Sequence, residues 1–259
     1  MDLGIAGRRA IVAASSSGLG LACATSLAQE GVHVVLNGRN EDRLLQAAEQ
    51  LRQSTGVEVT TVVGDIALDA TRAGLLAACP EPDIVVTNNS GPTPGMFNSW
   101  SSEDWHAAID QNMLAPLLLI RDVIDGMVAR KFGRIVNITS AMVKTPLAPM
   151  GLSSAARAGL ISAVKGISRD VVSSNVTINN LLPERIDTGR QQKMAKLAAE
   201  YKKITVEQAY EEMAQTIAAK RIGRPEEVGD MCAYLCSVQA SYISGQSIQL
   251  DGGSYAGIF

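Results

Sequence analysis

Short apolar runs alternate along the chain with longer stretches in which apolar residues recur every three or four positions. Strands are predicted at residues 10–13, 32–36, 57–63, 83–87, 134–138, 176–182 and 247–250, and helices at 19–30, 41–53, 69–79, 102–129, 152–172 and 226–236. Strands that alternate with helices pair in parallel, because each helix returns the chain to the edge where the previous strand began. The pattern therefore predicts an α/β fold: one doubly wound parallel sheet with helices on both faces, forming a single domain over residues 1–259.

Two of the predicted helices carry an apolar stripe with more than one explanation. The stripes run along residues 103–129 and 152–172, and small residues accompany the second stripe. Both stripes can serve the core of one chain, or they can pack against a second copy across a two-fold axis. The second explanation predicts a homodimer or homotetramer formed through these two helices.

Composition narrows the classes of partner and compartment. The chain of 259 residues has 23 Lys and Arg against 26 Asp and Glu, a formal charge of −3, which argues against electrostatic capture of nucleic acid. The longest apolar run, residues 114–120, is too short to cross a bilayer, and no apolar segment follows the first charged residues. The four cysteines lack the spacing of a zinc site. We expect a cytoplasmic protein that binds neither membrane nor metal.

A turn rich in serine and glycine follows the first predicted strand. It reads Ala13-Ala14-Ser15-Ser16-Ser17-Gly18-Leu19-Gly20 and leads directly into a helix. Glycines at such a junction let the backbone approach a pyrophosphate at the helix N-terminus. The alternative is an ordinary strand-to-helix turn with no ligand.

From this turn onward the chain resembles the short-chain dehydrogenase/reductase family, whose Rossmann fold binds a nicotinamide dinucleotide. The family's Thr-Gly-x-x-x-Gly-x-Gly turn is matched at Gly18 and Gly20, with alanine at positions 13 and 14. Asn88-Asn89-Ser90-Gly91 resembles the Asn-Asn-Ala-Gly element, and residues 183–188 resemble Pro-Gly-x-x-x-Thr with Glu184 in place of glycine. Gly245-Gln246 and Asp251-Gly252-Gly253 match the closing segment. The likeness spans nearly the whole chain and is strongest to the 3-oxoacyl-carrier-protein reductase branch.

The resemblance implies a set of cofactor-binding residues spread over the sheet edge. They are Ser15, Ser17, Gly18, Leu19, Gly20, Asp65, Ile66, Asn89, Ser90, Gly91, Arg157, Pro183, Ile186 and Thr188.

Arg39 predicts which dinucleotide the chain prefers. NAD-binding versions of this fold carry an acid after the second strand, where it accepts a hydrogen bond from the ribose hydroxyl. Here the strand ends Leu36-Asn37-Gly38-Arg39, and a guanidinium suits a 2′-phosphate. The expected cofactor is NADP(H). The alternative explanation of Arg39 is a solvated loop charge.

The resemblance also implies catalytic positions, and here the chain departs from the family. Asn112 and Ser140 match the family's Asn and Ser, but Ser153 stands where the proton-donating Tyr is expected, and Arg157, four residues on, replaces the Lys. A serine hydroxyl is a much weaker acid than a phenol, and its oxygen stops about 4 Å short of the phenol oxygen. A water polarised by Ser153, Ser140 and Arg157 is one substitute for the missing proton donor.

Three other side chains are candidate proton donors: Tyr201, Tyr210 and Lys144. The two tyrosines fall in residues 189–220, which the resemblance assigns to a mobile cover over the substrate. Each has a plain alternative, since both tyrosines lie on apolar helix stripes and Lys144 lies in a loop.

Three functions remain open at this stage. The first is an NADP(H)-dependent oxidoreductase acting on a small-molecule carbonyl or alcohol, with a non-standard proton relay. The second is a catalytically silent dinucleotide-binding sensor or oligomer partner, which the loss of Tyr and Lys favours. The third is a lyase or isomerase that uses the same pocket differently.

Overall fold

A computed structural model describes residues 1–258 of the chain. It contains one seven-stranded parallel sheet in the order β3-β2-β1-β4-β5-β6-β7. The strands are β1 (Arg9–Val12), β2 (His33–Gly38), β3 (Val59–Val63), β4 (Ile84–Thr87), β5 (Gly133–Ile138), β6 (Val176–Pro183) and β7 (Ser247–Leu250). The central strands are buried on both faces, which explains why they read as continuous apolar runs.

The described residues form nine α-helices. They are α1 (Gly18–Gln29), α2 (Glu41–Thr55), α3 (Asp69–Ala78), α4 (Ser102–Ile109), α5 (Ala115–Arg130), α6 (Gly151–Val171), α7 (Gly189–Lys202), α8 (Val206–Gln215) and α9 (Pro225–Cys236). One apolar core lies under α1, α2 and α9, and the other under α3, α5 and α6. The predicted doubly wound sheet with helices on both faces is therefore confirmed.

The predicted long helix over residues 102–129 is wrong in one respect. A π-helical turn, Asp110–Leu114, separates α4 from α5. Pro116 has no N–H to bond the carbonyl of Asn112 four residues earlier, and its ring would crowd that carbonyl. The backbone widens to a longer hydrogen-bond spacing just before the proline, which places Asn112 in the widened turn.

The chain reverses its direction of winding between β1 and β4. Strands β2 and β3 lie on one side of β1, and β4 to β7 lie on the other. At this point the connections after β1 and β4 diverge to opposite faces and leave a crevice at the carboxyl ends of the strands. Any ligand site built by the fold itself is expected there.

Candidate active site

The crevice is a cleft of about 770 Å³ at the carboxyl edge of the sheet. Its walls come from the segments that follow β1, β2, β3, β4, β5 and β6, and from the N-terminal parts of α6 and α7. This volume is within the range of cofactor and drug-sized pockets.

Two asparagines shape the turn after β1. The Asn37 side chain accepts from the Ala14 N–H at 3.2 Å and donates to the carbonyls of Val62 and Gly64. On the other side, Asn88 Nδ2 donates to the Ala14 carbonyl at 3.2 Å. These bonds hold the turn after β1 in place between the ends of the neighbouring strands β2 and β4. Helix α1 therefore begins at the floor of the cleft.

The N-terminus of α1 fits a phosphate group. Ser17 is the N-cap residue but makes no side-chain capping bond, and the first turn holds no acidic residue. The first backbone N–H groups of a helix lack partners within it and carry the positive end of its dipole. Ser17, Gly18 and Leu19 line the cleft, so these donors are available to a dinucleotide's pyrophosphate.

Ala14 occupies a backbone conformation suited to glycine, with φ at 46°. A side chain in this left-handed region costs roughly 1–2 kcal/mol. We expect Ala14→Gly to raise the free energy of unfolding by about 0.5–1 kcal/mol, since glycine's larger unfolded-state entropy offsets part of the relief. Urea unfolding of the two proteins measures the difference. Ala13→Gly, a change to a neighbour without positive φ, serves as the control and should not stabilise.

The structure places two of the predicted cofactor-binding residues outside the cleft wall. Ser15 is fully buried, and its hydroxyl donates to the Val12 carbonyl and accepts from the Asn37 N–H, so its side chain lies beneath the cleft. Gly20 is also absent from the cleft wall: a Cβ there would stand 2.4 Å from the Ala14 carbonyl oxygen. Both residues pack within the turn.

Arg39 lies at one end of the cleft with its side chain 62% exposed. Its guanidinium stands 3.7 Å from an Asp65 carboxylate oxygen and donates to Ser90 Oγ at 3.3 Å. Ile66 and Gly91 line the same cleft.

Several wall residues escaped prediction from the sequence, among them Ser16, Asn40 and Arg43. Arg43 follows Arg39 by four residues and lies in the first turn of α2. The sequence contains a signal for Arg43, because a second arginine four residues after Arg39 adds another positive charge at the same end of the cleft.

The other end of the cleft contains Ser140, Ser153 and Arg157. Arg157 is 8% exposed and donates to Ser153 Oγ at 3.2 Å, to the Ile138 and Thr139 carbonyls at 2.8 and 3.2 Å, and to the Asn89 carbonyl at 3.3 Å. Ser140 Oγ accepts from the Met142 N–H.

The charge of Arg157 is costly to hold. Burial and then the nearby charge of Arg190 lower the pKa of the Arg157 guanidinium to about 10, so it remains protonated at neutral pH. Its bonds to backbone carbonyls hold it against the end of β5. These bonds and the bond to Ser153 leave one N–H of Arg157 for the cofactor contact that the resemblance implies.

Asn112 lies outside the wall of the main cleft. It is 3% exposed and lines an adjoining cavity of about 340 Å³, shared with Trp100, Gln111 and Leu152. Its Nδ2 donates weakly to the Ala108 carbonyl at 3.4 Å, and its Oδ1 has no partner within residues 1–258. An unpartnered buried oxygen beside a cavity is a place for a bound water, which would connect this side chain to the cleft only indirectly.

The three alternative proton donors face elsewhere. Tyr201 is 89% exposed, and the Tyr210 hydroxyl donates to Asp187 at 2.6 Å, which together with burial raises the pKa of the phenol. Lys144 reaches Gln249 at 3.4 Å and the ring of Tyr255. All five tyrosines fall within the described residues, and none is part of the cleft wall.

The segment 189–220 closes one side of the cleft through its first helix. Gly189, Arg190, Gln191 and Met194 of α7 contribute to the wall, next to Pro183, Ile186 and Thr188. Arg190 donates to the carbonyls of Gly91 and Pro92 at 3.1 and 3.2 Å, so it crosses from α7 to the segment after β4. Within residues 1–258, no group of three or more His, Cys, Asp or Glu side chains is arranged to hold a metal ion, and no helix has the length and apolar character of a membrane span.

Comparison with known proteins assigns the family. The profile described as Enoyl-(Acyl carrier protein) reductase matches residues 13–255. NADPH-dependent reductase BacG of Bacillus subtilis (strain 168) is 34% identical over 256 residues, covering 97% of this chain and 99% of that protein. 3-oxoacyl-[acyl-carrier-protein] reductase FabG of Rickettsia felis is 29% identical, covering 96% and 97%. The crystal structure of L-sorbose reductase from Gluconobacter frateurii, complexed with NADPH and L-sorbose, has a TM-score of 0.94 at 30% identity and full coverage of both chains. The chain belongs to the short-chain dehydrogenase/reductase family.

Proposed function

We propose that the chain is an NADP(H)-dependent oxidoreductase that acts on a small-molecule carbonyl or alcohol through a proton relay without tyrosine. The observation that carries the proposal is one cleft lined by the uncapped N-terminus of α1, by Arg39 and Arg43, and by the Ser153–Arg157 pair. Relatives named as NADPH-dependent reductase and 3-oxoacyl reductase support the same reaction class.

We call the end of the cleft that contains Ser140, Ser153 and Arg157 the catalytic end. Its residues suit a carbonyl group whose oxygen gains negative charge during reduction. NADPH, when bound, supplies the hydride that reduces a carbonyl carbon. Ser153 accepts from Arg157, which leaves its own hydrogen free to donate to the carbonyl oxygen. The guanidinium stabilises negative charge on that oxygen, and the hydroxyl passes on a proton that solvent water replaces. Ser140, lining the same end, is a second hydroxyl for the oxygen.

We propose that residues 189–220 act as the substrate cover. We also propose that the chain assembles as a homodimer or homotetramer through helices 103–129 and 152–172. Leu114 in the π-helical turn is 40% exposed on the first of these segments, which supports an apolar contact there. Light scattering tests the assembly, since a monomer would have a mass of 27.3 kDa.

Arg39→Ala is expected to weaken NADPH binding by about tenfold to a hundredfold, the effect of losing a charge-assisted bond worth roughly 1.5–3 kcal/mol. NADH, which lacks the 2′-phosphate, is the internal control, and its dissociation constant should change less than twofold. Titration calorimetry with both cofactors measures the pair. A wild-type protein that binds NADH as tightly as NADPH would contradict the preference.

Activity distinguishes this proposal from a silent dinucleotide-binding protein. The assay follows NADPH absorbance with a panel of ketones, aldehydes and oxo esters, after calorimetry has established that the cofactor is bound. Turnover that depends on Arg157 supports the oxidoreductase. Bound cofactor without turnover on any member of the panel favours the silent alternative, for which the missing tyrosine is the supporting observation.

A further inference from the structure

Two guanidinium groups at the catalytic end of the cleft have no acidic partner. Arg39, at the far end, has the Asp65 carboxylate at 3.7 Å, but neither Arg157 nor Arg190 forms an ion pair with any residue of the described chain. Their hydrogen bonds go to neutral backbone carbonyls and a serine. The catalytic end therefore holds two positive charges that the protein itself leaves uncompensated, an arrangement that favours an anionic ligand.

The two guanidiniums and a hydroxyl approach one point beside Gly91. A Cβ built on Gly91 would stand 3.5 Å from an Arg190 nitrogen, 3.6 Å from an Arg157 nitrogen and 3.6 Å from Ser153 Oγ. The three groups are therefore close neighbours in the wall of the cleft. Arg190 keeps N–H groups that its two backbone bonds do not use, and Arg157 keeps one.

We propose that Arg190 and the remaining N–H of Arg157 form a carboxylate-binding subsite beside the Ser153 hydroxyl that serves the carbonyl oxygen, so that the substrate is a carbonyl compound that also carries a carboxylate. The inference deepens the proposed oxidoreductase function and rests on it. A neutral carbonyl oxygen would face both positive charges with only partial charge of its own. A carboxylate compensates one full charge, and its two oxygens can accept from the Arg190 guanidinium and from the one N–H that Arg157 has left.

Arg190 supplies the preference for a carboxylate, and it lies in the cover segment, residues 189–220. It lies in the first turn of α7, whereas Arg157 is fixed on α6 by its bonds to the end of β5. A substrate carboxylate would therefore link the cover to the floor of the cleft. The other end of the cleft has its own cations in Arg39 and Arg43, so the cofactor's 2′-phosphate does not require this pair.

The test measures binding without turnover, on the enzyme saturated with NADP⁺. Calorimetry compares 2-oxohexanoate and 4-oxopentanoate, each beside its methyl ester. In the wild type we expect at least one acid to bind tenfold or more tightly than its ester. Arg190→Gln is expected to reduce that ratio to within twofold. Lys196→Gln removes the same charge from an exposed position of α7 outside the cleft wall, and it should leave the ratio unchanged.

A second variant fills the point without removing charge. Gly91→Ala places a methyl group at ordinary contact distance from both guanidiniums, and Gly91 has no positive φ, so the backbone accepts the change. This variant is expected to weaken the binding of the acid at least tenfold and the binding of the ester much less. Equal affinity of acid and ester in the wild type, no measurable binding of either acid, or an unchanged ratio in Arg190→Gln would each overturn the proposal.

The cofactor's pyrophosphate is the competing source of an anion. If the acids bind only the apoenzyme and are displaced by NADP⁺ or by inorganic pyrophosphate, the pair serves the cofactor and the substrate proposal is wrong. The same measurements distinguish a failure of the carboxylate proposal from a failure of the proposed oxidoreductase function. Turnover of neutral ketones without acid preference leaves the oxidoreductase intact, whereas acid binding without turnover removes the reaction and keeps the subsite.

Discussion

Arg157→Ala should lower kcat/KM for a carbonyl substrate by about a hundredfold or more, the usual effect of removing a donor that stabilises an oxyanion. It should also lower the free energy of unfolding by about 2–4 kcal/mol. Four hydrogen bonds join this side chain to Ser153, to the end of β5 and to the Asn89 carbonyl, and its loss leaves a cavity and buried acceptors without donors. Steady-state kinetics and urea unfolding measure the two effects.

The matched control is Arg169→Ala, an exposed arginine in the last turn of the same helix. It should change stability by less than about 0.5 kcal/mol and leave kcat/KM unaltered. Arg157→Lys keeps the charge but offers fewer donors in a different geometry, so it should recover only part of the stability. Unchanged turnover in Arg157→Ala would remove this side chain from the mechanism.

The double change Ser153→Tyr, Arg157→Lys should raise kcat for neutral ketones by about a hundredfold, within the range that a positioned general acid contributes. The phenol would extend into the cleft from the first turn of α6, because Ser153 is buried at the cleft wall. A lysine four residues on lies one helical turn away and favours the ionised phenol. Solvent isotope effects on kcat report whether proton transfer has changed.

Each single change separates the contributions. Ser153→Tyr alone places a phenol beside Arg157 and should give a smaller gain, because the guanidinium remains bonded to backbone carbonyls. Ser154→Tyr is the positional control, since Ser154 is buried but is not part of the cleft wall. If the double variant binds NADPH normally but gains no activity, proton donation does not limit this enzyme.

The doubly wound parallel sheet follows from the sequence because period and strand length are local properties. The alternation of short apolar runs and helical stretches determines parallel pairing, and the order of strands leaves a crevice after β1 and β4. The error over residues 102–129 was also local in origin: Pro116 was treated as part of a continuous helix, although it removes the donor for the Asn112 carbonyl.

The site was harder to predict, because side-chain direction depends on tertiary contacts. Ser15 belongs to the glycine-rich turn, yet its hydroxyl is used twice inside the fold. Arg190 had no motif to mark it, and only the approach of α7 to the segment after β4 brings it beside Arg157. Unpaired charge is a property of the assembled cleft, so no reading of spacing alone could find the pair.

The bonds from Arg190 to the Gly91 and Pro92 carbonyls also affect the rate at which ligands enter and leave the cleft. They join the first turn of α7 to the opposite wall, so α7 separates from that wall only when both bonds break. We therefore expect the exchange of ligands through this side of the cleft to depend on the Arg190 side chain. In Arg190→Gln the dissociation rate constant of bound dinucleotide should rise even where its equilibrium affinity barely changes, because this side chain acts on passage in both directions.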